Sequence, residues 1–171
     1  LTPGGLTDGA GNLQVISNLI QGNSAGAGDG GGIRLAGING RDVEANPDNT
    51  PQRNGNSGRN DPRVWNAVDV FNNMIVDNVA ALAGGGISLQ DSVDVRLAHN
   101  TIANNDSLAT AGEAFAPGSP NQSTPQPGAG VVTRAHSTQL AAAGNVGTFS
   151  DPSAFDDNIL WQNRQFFFIV A

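Results

Sequence analysis

A short motif, Asn-x-(Ile/Leu)-x-x-Asn, occurs four times in this chain and limits its fold more than any other feature. The copies are the segments 18–23, 73–78, 100–105 and 158–163. The first Asn recurs after 55, 27 and 58 residues, so that two steps are close to twice the third. A polar repeat this short cannot form a helical hairpin, whereas repeats of roughly 20–50 residues are typical of solenoids. We therefore predict about 27 residues per coil, with the steps of 55 and 58 covering two coils each.

Apolar residues alternate just before the first three copies of the motif. These pairs are Leu13 and Val15, Val68 and Val70, and Val95 and Leu97. The fourth copy keeps only Phe155. A period of two predicts a strand with one buried face. We expect this strand to end at the first Asn, which tolerates the left-handed backbone of a tight corner. The Ile or Leu of the motif then begins a second short strand, which the second Asn closes.

Glycine-rich segments mark a third part of the coil. Three consecutive glycines precede an alternating apolar strand at 30–35 and at 84–89, and segment 128–132 is a weaker copy. The predicted corner glycines are Gly30, Gly31, Gly32, Gly84, Gly85 and Gly86. Glycine suits a corner where one backbone passes close to another. One coil is therefore strand, Asn corner, strand, glycine corner, strand. The predicted fold class is all-β, a parallel β-helix.

Stacked coils give the Asn residues a specific role. Equivalent residues of successive coils lie about 4.8 Å apart. Asn side chains at one corner can then donate from the amide and accept at its oxygen, which forms a hydrogen-bonded ladder. An ordinary turn role is the alternative, but four copies in fixed phase with apolar neighbours favour the ladder. The predicted ladder residues are Asn18, Asn73, Asn100 and Asn158 at one corner, and Asn23, Asn78, Asn105 and Asn163 at the other.

Composition excludes several classes of partner. The chain has 171 residues and a formal charge of −7, and it lacks Lys. Such a chain does not have the basic surface of a nucleic-acid-binding protein. No apolar run approaches the roughly 20 residues of a spanning helix. We therefore predict no nucleic-acid partner and no membrane insertion of this segment. The absence of Cys excludes disulfides, thiolate zinc sites and Cys nucleophiles, and it fits a secreted bacterial protein.

The coils resemble the right-handed parallel β-helix superfamily, whose members include pectate lyases and many secreted repeat proteins. Two coils are also similar to the repeats of polymorphic outer-membrane proteins and autotransporter adhesins. In those repeats an aromatic or aliphatic residue, two variable positions, Asn and a small residue precede Gly-Gly-Ala-Ile. Segments 20–25 with 31–33, and 75–80 with 85–87, match this pattern, with Gly32 and Gly86 in place of Ala. The resemblance covers roughly half the chain and, with the general preference for right-handed parallel crossovers, implies a right-handed solenoid.

Three segments do not fit the coil pattern: 37–63, 107–127 and 135–152. Such loops project from the corners of a solenoid, and binding faces are often built from them. An equally good alternative is that these loops have no function and are merely tolerated, since lengthening a surface loop costs little free energy. Leu108, Phe115 and Phe149 are expected to pin two of the loops onto the coils. We predict one β-helix domain over 1–171. We expect it to be a fragment of a longer chain, because it starts without Met and ends in the apolar segment 166–171.

The catalytic patterns of β-helix enzymes are incomplete in this sequence. A polygalacturonase-like site needs paired Asp behind Gly, a His-Gly turn and Arg-x-Lys. The one Asp pair, Asp156 and Asp157, precedes a corner Asn, and His99 is followed by Asn. We therefore predict no catalytic residues, and no catalytic or metal role for His99 or His136. Trp161 is expected to point outward, whereas Trp65 is left open between an inward residue, a coil cap and a sugar-stacking platform.

Calcium is the metal ion that the acidic residues would suit best, because carboxylate and carbonyl oxygens are its ligands. The candidate acids are Asp42, Glu44, Asp48 and Asp61 in the first insertion, and Asp91 and Asp94 between coils. Their spacing matches no calcium-binding loop. No cofactor is therefore predicted, and Ca²⁺ is kept only as the lesser alternative.

These observations favour a non-enzymatic β-helix module, extracellular or on the cell surface of a bacterium, with a structural, adhesive or assembly role. One alternative is a carbohydrate-active β-helix, a polysaccharide lyase or glycoside hydrolase whose catalytic coils are not recognisable in this segment. Another is an accessory subunit that docks onto a larger complex through its apolar end. The expected partners are other protein subunits or further coils of the same chain, with carbohydrate as a possible ligand.

Overall fold

The computed structural model describes residues 9–39, 65–115, 123–124, 126–143 and 146–170. These residues form four successive coils of short strands. The first coil contains β1 (Leu13–Ile16), β2 (Leu19–Gln21), β3 (Ser24–Ala25) and β4 (Ile33–Ala36). The second contains β5 (Ala67–Phe71), β6 (Met74–Val76), β7 (Val79–Ala80) and β8 (Ile87–Gln90). The third contains β9 (Asp94–Ala98), β10 (Thr101–Ala103), β11 (Asp106–Ser107) and β12 (Val131–Thr133). The fourth contains β13 (Ala154–Asp156), β14 (Ile159–Trp161) and β15 (Arg164–Gln165).

The strands stack into four parallel sheets, one for each position along the coil. Their orders are β1-β5-β9-β13, β2-β6-β10-β14, β3-β7-β11-β15 and β4-β8-β12. Each strand therefore pairs with the equivalent strand of the next coil. This arrangement confirms the predicted all-β parallel β-helix. The right-handed sense of the solenoid stays a prediction.

The prediction that the steps of 55 and 58 residues cover two coils each is wrong. Leu19 pairs directly with Met74, and Thr101 pairs directly with Ile159. Each long step is thus a single coil lengthened by inserted residues, which a surface loop accommodates at little cost in free energy. Only the step from the second to the third coil has 27 residues, as in the pairing of Val68 with Val95.

The apolar core lies between the sheets and is best closed in the two middle coils. Inward side chains stack in rows along the solenoid, so that Ile75 lies beside Ile20 and Ile102. The fully buried aliphatic residues are Val68, Val70, Ile75, Ile87, Leu89, Val95, Leu97 and Ile102. Burying each such side chain contributes about 1.5–3 kcal/mol relative to leaving it exposed. The middle coils therefore supply most of the apolar stabilisation.

The insertions attach to the coils in different ways. Residues 40–63 of the first insertion lie outside the described residues, although Ile38 before them joins the core. Ser107 belongs to β11, so the second insertion begins after it. The third insertion contains the short helix α1 (Thr138–Ala143), whose Leu140 is buried against Trp65 in a second apolar cluster. Trp65 is therefore buried in this second cluster and cannot be a sugar-stacking platform.

The three apolar residues expected to pin the loops behave differently from one another. Phe115 contacts Phe168, with ring centroids 6.1 Å apart. Leu108 is half-buried. Phe149 is largely exposed and holds its loop through an antiparallel backbone bridge with Ala135 instead. Among the described residues, no helix has the length and apolar character needed to cross a membrane.

Candidate functional site

The corner turns are made by the residue that precedes each ladder Asn. At the first corner these residues are Ser17, Asn72, His99 and Asp157, with φ of 57°, 55°, 57° and 51°. At the second corner they are Gly22, Asp77, Asn104 and Gln162, with φ of 70°, 55°, 55° and 47°. All eight are exposed. The prediction that the ladder Asn itself adopts the left-handed backbone is wrong, because the preceding residue turns the chain and the ladder Asn side chain is left facing the neighbouring coils.

The two middle coils confirm the predicted asparagine ladders. The Nδ2 amide of Asn73 donates to Oδ1 of Asn100 at 3.0 Å, and that of Asn78 donates to Oδ1 of Asn105 at 3.0 Å. The same oxygens accept the backbone N–H groups of Asn73 and Asn78, each at 3.0 Å. The second amide hydrogen of Asn73 reaches the carbonyl oxygen of Val15 in the preceding coil at 2.8 Å. Each buried amide is thus fully used between its neighbours.

The outer coils continue both ladders with the same polarity. At the first corner, Asn18 donates to Asn73 at 3.1 Å and Asn100 donates to Asn158 at 2.9 Å. At the second corner the corresponding pairs, Asn23 with Asn78 and Asn105 with Asn163, are each joined at 2.9 Å. In each of the first three coils, the ladder Asn amide donates to the Asn oxygen of the following coil. The ladders therefore have a direction, and their two ends differ chemically.

The predicted glycine corners lie between β3 and β4 and between β7 and β8, where successive coils come into close contact. Gly30 and Gly84 have positive φ, 74° and 64°. A Cβ on Gly31 would lie 2.5 Å from the carbonyl oxygen of Gly85, and a Cβ on Gly85 would lie 2.3 Å from that of Asp106. The backbones leave no room for a side chain.

The same close approach explains why Gly32 and Gly86 stand where the resembled repeats have Ala. A Cβ on Gly32 would lie 2.8 Å from the carbonyl oxygen of Gly86. A Cβ on Gly86 would lie 2.4 Å from that of Gly130. The six corner glycines therefore have a packing role.

Asp91, His136 and Ser150 bring together the residue types of a hydrolytic triad, but not its geometry. Ser150 Oγ lies 3.2 Å from His136 Nδ1, and Asp91 Oδ1 lies 3.5 Å from the same nitrogen. A triad needs the acid and the nucleophile on opposite ring nitrogens. The His136 side chain is 2% exposed and Ser150 is fully buried. In this arrangement Asp91 cannot orient the ring from the nitrogen opposite the one that faces Ser150, as the acid of a triad does.

The buried cluster formed by Asp91, His136 and Ser150 instead ties the third insertion to the coils. Asp91 Oδ1 accepts the backbone N–H of Ser137 at 2.7 Å, and Ser150 Oγ accepts that of Ser92 at 3.3 Å. Although burial raises the pKa of Asp91, hydrogen bonds from His136 and Ser137 outweigh burial and hold that pKa below its ordinary value. Sequence reasoning missed this cluster because its members come from separate loops.

Three of the arginines in the described part of the chain form ion pairs with aspartates. Arg96 and Asp69 lie side by side in adjacent coils, 2.6 Å apart, and Arg164 and Asp106 do the same at 2.7 Å. A third pair joins Arg134 to Asp29 through two hydrogen bonds, 2.6 and 2.7 Å. The hydrogen bonds to Asp29 raise the pKa of Arg134 above its ordinary value. These ion pairs join side chains from different coils and so contribute to the stacking of the coils.

Calcium has no support among the described acids. The part of the chain that the structure describes contains no group of three or more His, Asp or Glu side chains that could hold a metal ion. Asp91 and Asp94 both accept hydrogen bonds from serines. Asp91 accepts the backbone N–H of Ser137 at 2.7 Å, and Asp94 accepts Ser153 Oγ–H at 2.8 Å. Asp42, Glu44, Asp48 and Asp61 lie outside the described residues. His99 lies at an exposed corner, 3.8 Å from Asp157.

The outer face of the second sheet carries Trp161, the more exposed of the two tryptophans. Trp161 is 60% exposed and points outward. A groove of about 490 Å³ is lined by Asp77, Asn104, Gln162 and Arg164, and Gln162 directly follows Trp161 in the chain. An indole next to amide and charged groups can stack on an apolar ring face while the polar groups bind hydroxyls.

The fourth coil leaves one end of the core open. Phe155 pairs with Leu97, and Leu160 pairs with Ile102, so that both continue the inward rows. Yet Phe155 is 43% exposed and Leu160 is 48% exposed, whereas their partners in the third coil are fully buried. At the other end, Leu13 of the first coil is also exposed. The open ends and the groove are therefore candidate surfaces for function in the described coils.

Comparison of the chain with protein-family models, with curated proteins and with solved structures finds no match. The functional argument therefore depends on the geometry of the described residues.

Proposed function

We propose that this chain is a non-enzymatic β-helix module with a structural, adhesive or assembly role. The observation that carries the proposal is the use of its polar side chains. The repeated Asn residues bond to one another along the solenoid, as between Asn73 and Asn100 at 3.0 Å. Five of the described aspartates accept hydrogen bonds from Arg or Ser in neighbouring coils and loops, as Asp69 does from Arg96 at 2.8 Å; the others are Asp29, Asp91, Asp94 and Asp106.

A location outside the cell or on the surface of a bacterium is part of the proposal. It is supported by the resemblance of segments 20–33 and 75–87 to the repeats of secreted β-helix proteins and autotransporter adhesins. The absence of Cys and Lys is compatible with such a location. The partners on this view are other protein subunits or further coils, held at the open ends of the core.

The test is a search for catalysis on the substrates that β-helix enzymes use. The purified chain would be incubated with a panel of acidic and neutral polysaccharides, with and without added Ca²⁺. Unsaturated products and new reducing ends would be measured over time. We expect neither to rise above the rate without protein. Product formation that scales with protein concentration would overturn the proposal in favour of a carbohydrate-active β-helix.

Carbohydrate binding without cleavage is a second candidate, favoured by the exposed Trp161 and by a polar groove that its chain neighbour Gln162 lines. Titration of oligosaccharides should then quench or shift the fluorescence of Trp161, because Trp65 is buried away from the groove. Trp161→Ala should abolish binding that is detected calorimetrically. Ile159→Ala is the matched control, because Ile159 is equally exposed in the same strand. Equal loss of binding in both variants, or none in either, would contradict this candidate.

A further inference from the structure

The two ends of the solenoid carry opposite halves of one hydrogen-bond pattern. Within the coils, the backbone N–H and Nδ2 of each ladder Asn donate to the Oδ1 of the following coil, as Asn100 does to Asn158 at 3.0 and 2.9 Å. In the fourth coil, Asn158 uses one amide hydrogen on the carbonyl oxygen of Leu97 at 2.8 Å, and Asn163 uses one on that of Ile102 at 2.8 Å. Within the described ranges no further Asn follows them. This end, the donor end, therefore presents N–H groups.

The first coil presents the complementary acceptors. In the second coil, Asn73 Oδ1 accepts the N–H and Nδ2 of Asn18 at 2.9 and 3.1 Å. The equivalent oxygens of Asn18 and Asn23 receive no hydrogen bond from any part of the chain that the structure describes. This end is called the acceptor end. Its Asn18 and Asn23 are five positions apart, which is also the spacing of Asn158 and Asn163 at the donor end.

We propose that copies of this chain stack head to tail, with the donor end of one copy on the acceptor end of the next. The inference rests on the proposed structural function and names its partner as a second copy of the chain. Asn158 would donate to Asn18 of the neighbouring copy and Asn163 to Asn23. The ladders of one copy would then continue into the other with the same polarity.

The apolar residues of the two ends meet in the register that the ladders set. Three positions before the first Asn, Phe155 meets Val15, and two positions after it, Leu160 meets Ile20. The first pair would cover the aromatic ring that is 43% exposed, and the second would cover the 48% exposed leucine. Burial of these side chains favours association.

No like charges face each other in this register. The charged residues of the fourth coil strands and corner are Asp156, Asp157 and Arg164, and their partners are Ile16, Ser17 and Ser24. Three sheets would continue through the contact, with β13, β14 and β15 against β1, β2 and β3. The fourth sheet does not take part, because its last strand, β12, lies in the third coil. Because the two surfaces differ and each copy continues the stack along the solenoid axis, the contact repeats without closing a ring, and linear chains of molecules result.

Sedimentation velocity of the full 171-residue chain over a wide concentration range tests the inference. Leu160→Asp places a charge at the donor end, and Ile20→Asp places one at the acceptor end. Met74→Asp is the control, because Met74 is exposed on the outer face of the second coil, away from both ends. Far-ultraviolet circular dichroism and thermal melts establish that each variant is folded.

The wild-type chain and Met74→Asp should form oligomers of increasing length with concentration. Each end variant alone should stay monomeric, because it has one usable end and no partner for it. An equimolar mixture of the two end variants should form dimers and nothing larger, since it contains one intact pair of ends. Dimers in the mixture are specific to a head-to-tail contact.

Three results would overturn the inference. The first is a wild-type chain that stays monomeric at its highest soluble concentration, as it would if another protein or further coils cover the ends. The second is assembly of one end variant by itself, which indicates a symmetric contact. The third is a monomeric mixture of folded variants. None of these results bears on the polysaccharide assay, so failure of the inference is distinguishable from failure of the proposed function.

Discussion

Replacement of Asn100 by Leu removes a buried ladder residue that makes four hydrogen bonds through its side chain. Its Nδ2 donates to Val70 O at 2.8 Å and to Asn158 Oδ1 at 2.9 Å. Its Oδ1 accepts the N–H and Nδ2 of Asn73, each at 3.0 Å. The substitution affects three buried groups: it leaves the two donors of Asn73 without an acceptor, and it removes one hydrogen bond from the carbonyl oxygen of Val70, which also lies in the β5–β9 ladder. The Asn158 oxygen still accepts the backbone N–H of residue 100.

The expected loss of stability follows from these three groups. An unsatisfied buried polar group costs about 1–3 kcal/mol. Burying the apolar Leu side chain offsets this by about 1.5–3 kcal/mol. With two unpaired donors and one lost hydrogen bond, worth about 0.5–1.5 kcal/mol, we expect Asn100→Leu to lower the free energy of unfolding by about 1–5 kcal/mol, an appreciable part of the roughly 5–15 kcal/mol typical of a domain. Urea unfolding followed by circular dichroism measures this change, provided that the slope m is unchanged.

Asn18→Leu is the matched control, because Asn18 occupies the same ladder but is exposed in the first coil. It loses the hydrogen bonds to Asn73 Oδ1 and Ile16 O, 3.1 and 3.0 Å, while the backbone N–H of residue 18 still reaches Asn73 Oδ1. We expect a loss of about 1–2 kcal/mol at protein concentrations where the chain is monomeric. Equal losses for the two variants, or a loss below about 1 kcal/mol for Asn100→Leu, would refute the role assigned to the ladders.

Two further perturbations test the corners and the attachment of the third insertion. Gly85→Ala should destabilise the fold by at least about 1–3 kcal/mol, the usual cost of overpacking, because its Cβ would lie 2.3 Å from the carbonyl oxygen of Asp106. Gly26→Ala meets no atom within 4 Å and should leave the melting temperature nearly unchanged; similar shifts in both would contradict the packing role. Asp91 has a pKa lowered from 3.8 in the folded state, so the unfolded state binds more protons between the two values and stability falls as pH falls through that window. Asp91→Asn should therefore be less stable than the wild type above pH 3.8, with the difference shrinking toward lower pH; a difference independent of pH in urea titrations would contradict this.

The sequence predicted the elements whose cause is local or repeated. Apolar alternation and the Asn motif predicted the strands, and the fixed phase of Asn73 and Asn100 predicted their hydrogen bond. The left-handed corner residue was placed one position too late, because side chains as different as Ser17 and His99 occupy it. No residue type marks this turn, since an exposed corner requires only a backbone conformation.

The number of coils could not be read from the spacing. An inserted loop lengthens a coil by any number of residues at little cost, and here the long steps of 55 and 58 happened to lie near twice 27. The contact of Trp65 with Leu140 and the cluster around His136 were missed for a related reason. Each joins segments far apart in the chain, and neither has a periodic signal.

The most direct test of the account is whether successive motif copies lie in adjacent coils across the long first step. The chain has no Cys, so paired cysteines can be introduced without background. Leu19→Cys with Met74→Cys joins exposed register partners in β2 and β6, which lie about 4.8 Å apart as neighbouring parallel strands and within reach of a disulfide. Leu19→Cys with Thr101→Cys joins residues two coils apart, roughly 9.6 Å, beyond the reach of the bond. At concentrations where the chain is monomeric, mild oxidation should cross-link the first pair within one molecule and leave the second pair free. No disulfide in the first pair, or equal cross-linking of both, would contradict the stacking of Asn18 on Asn73 and with it the solenoid described above.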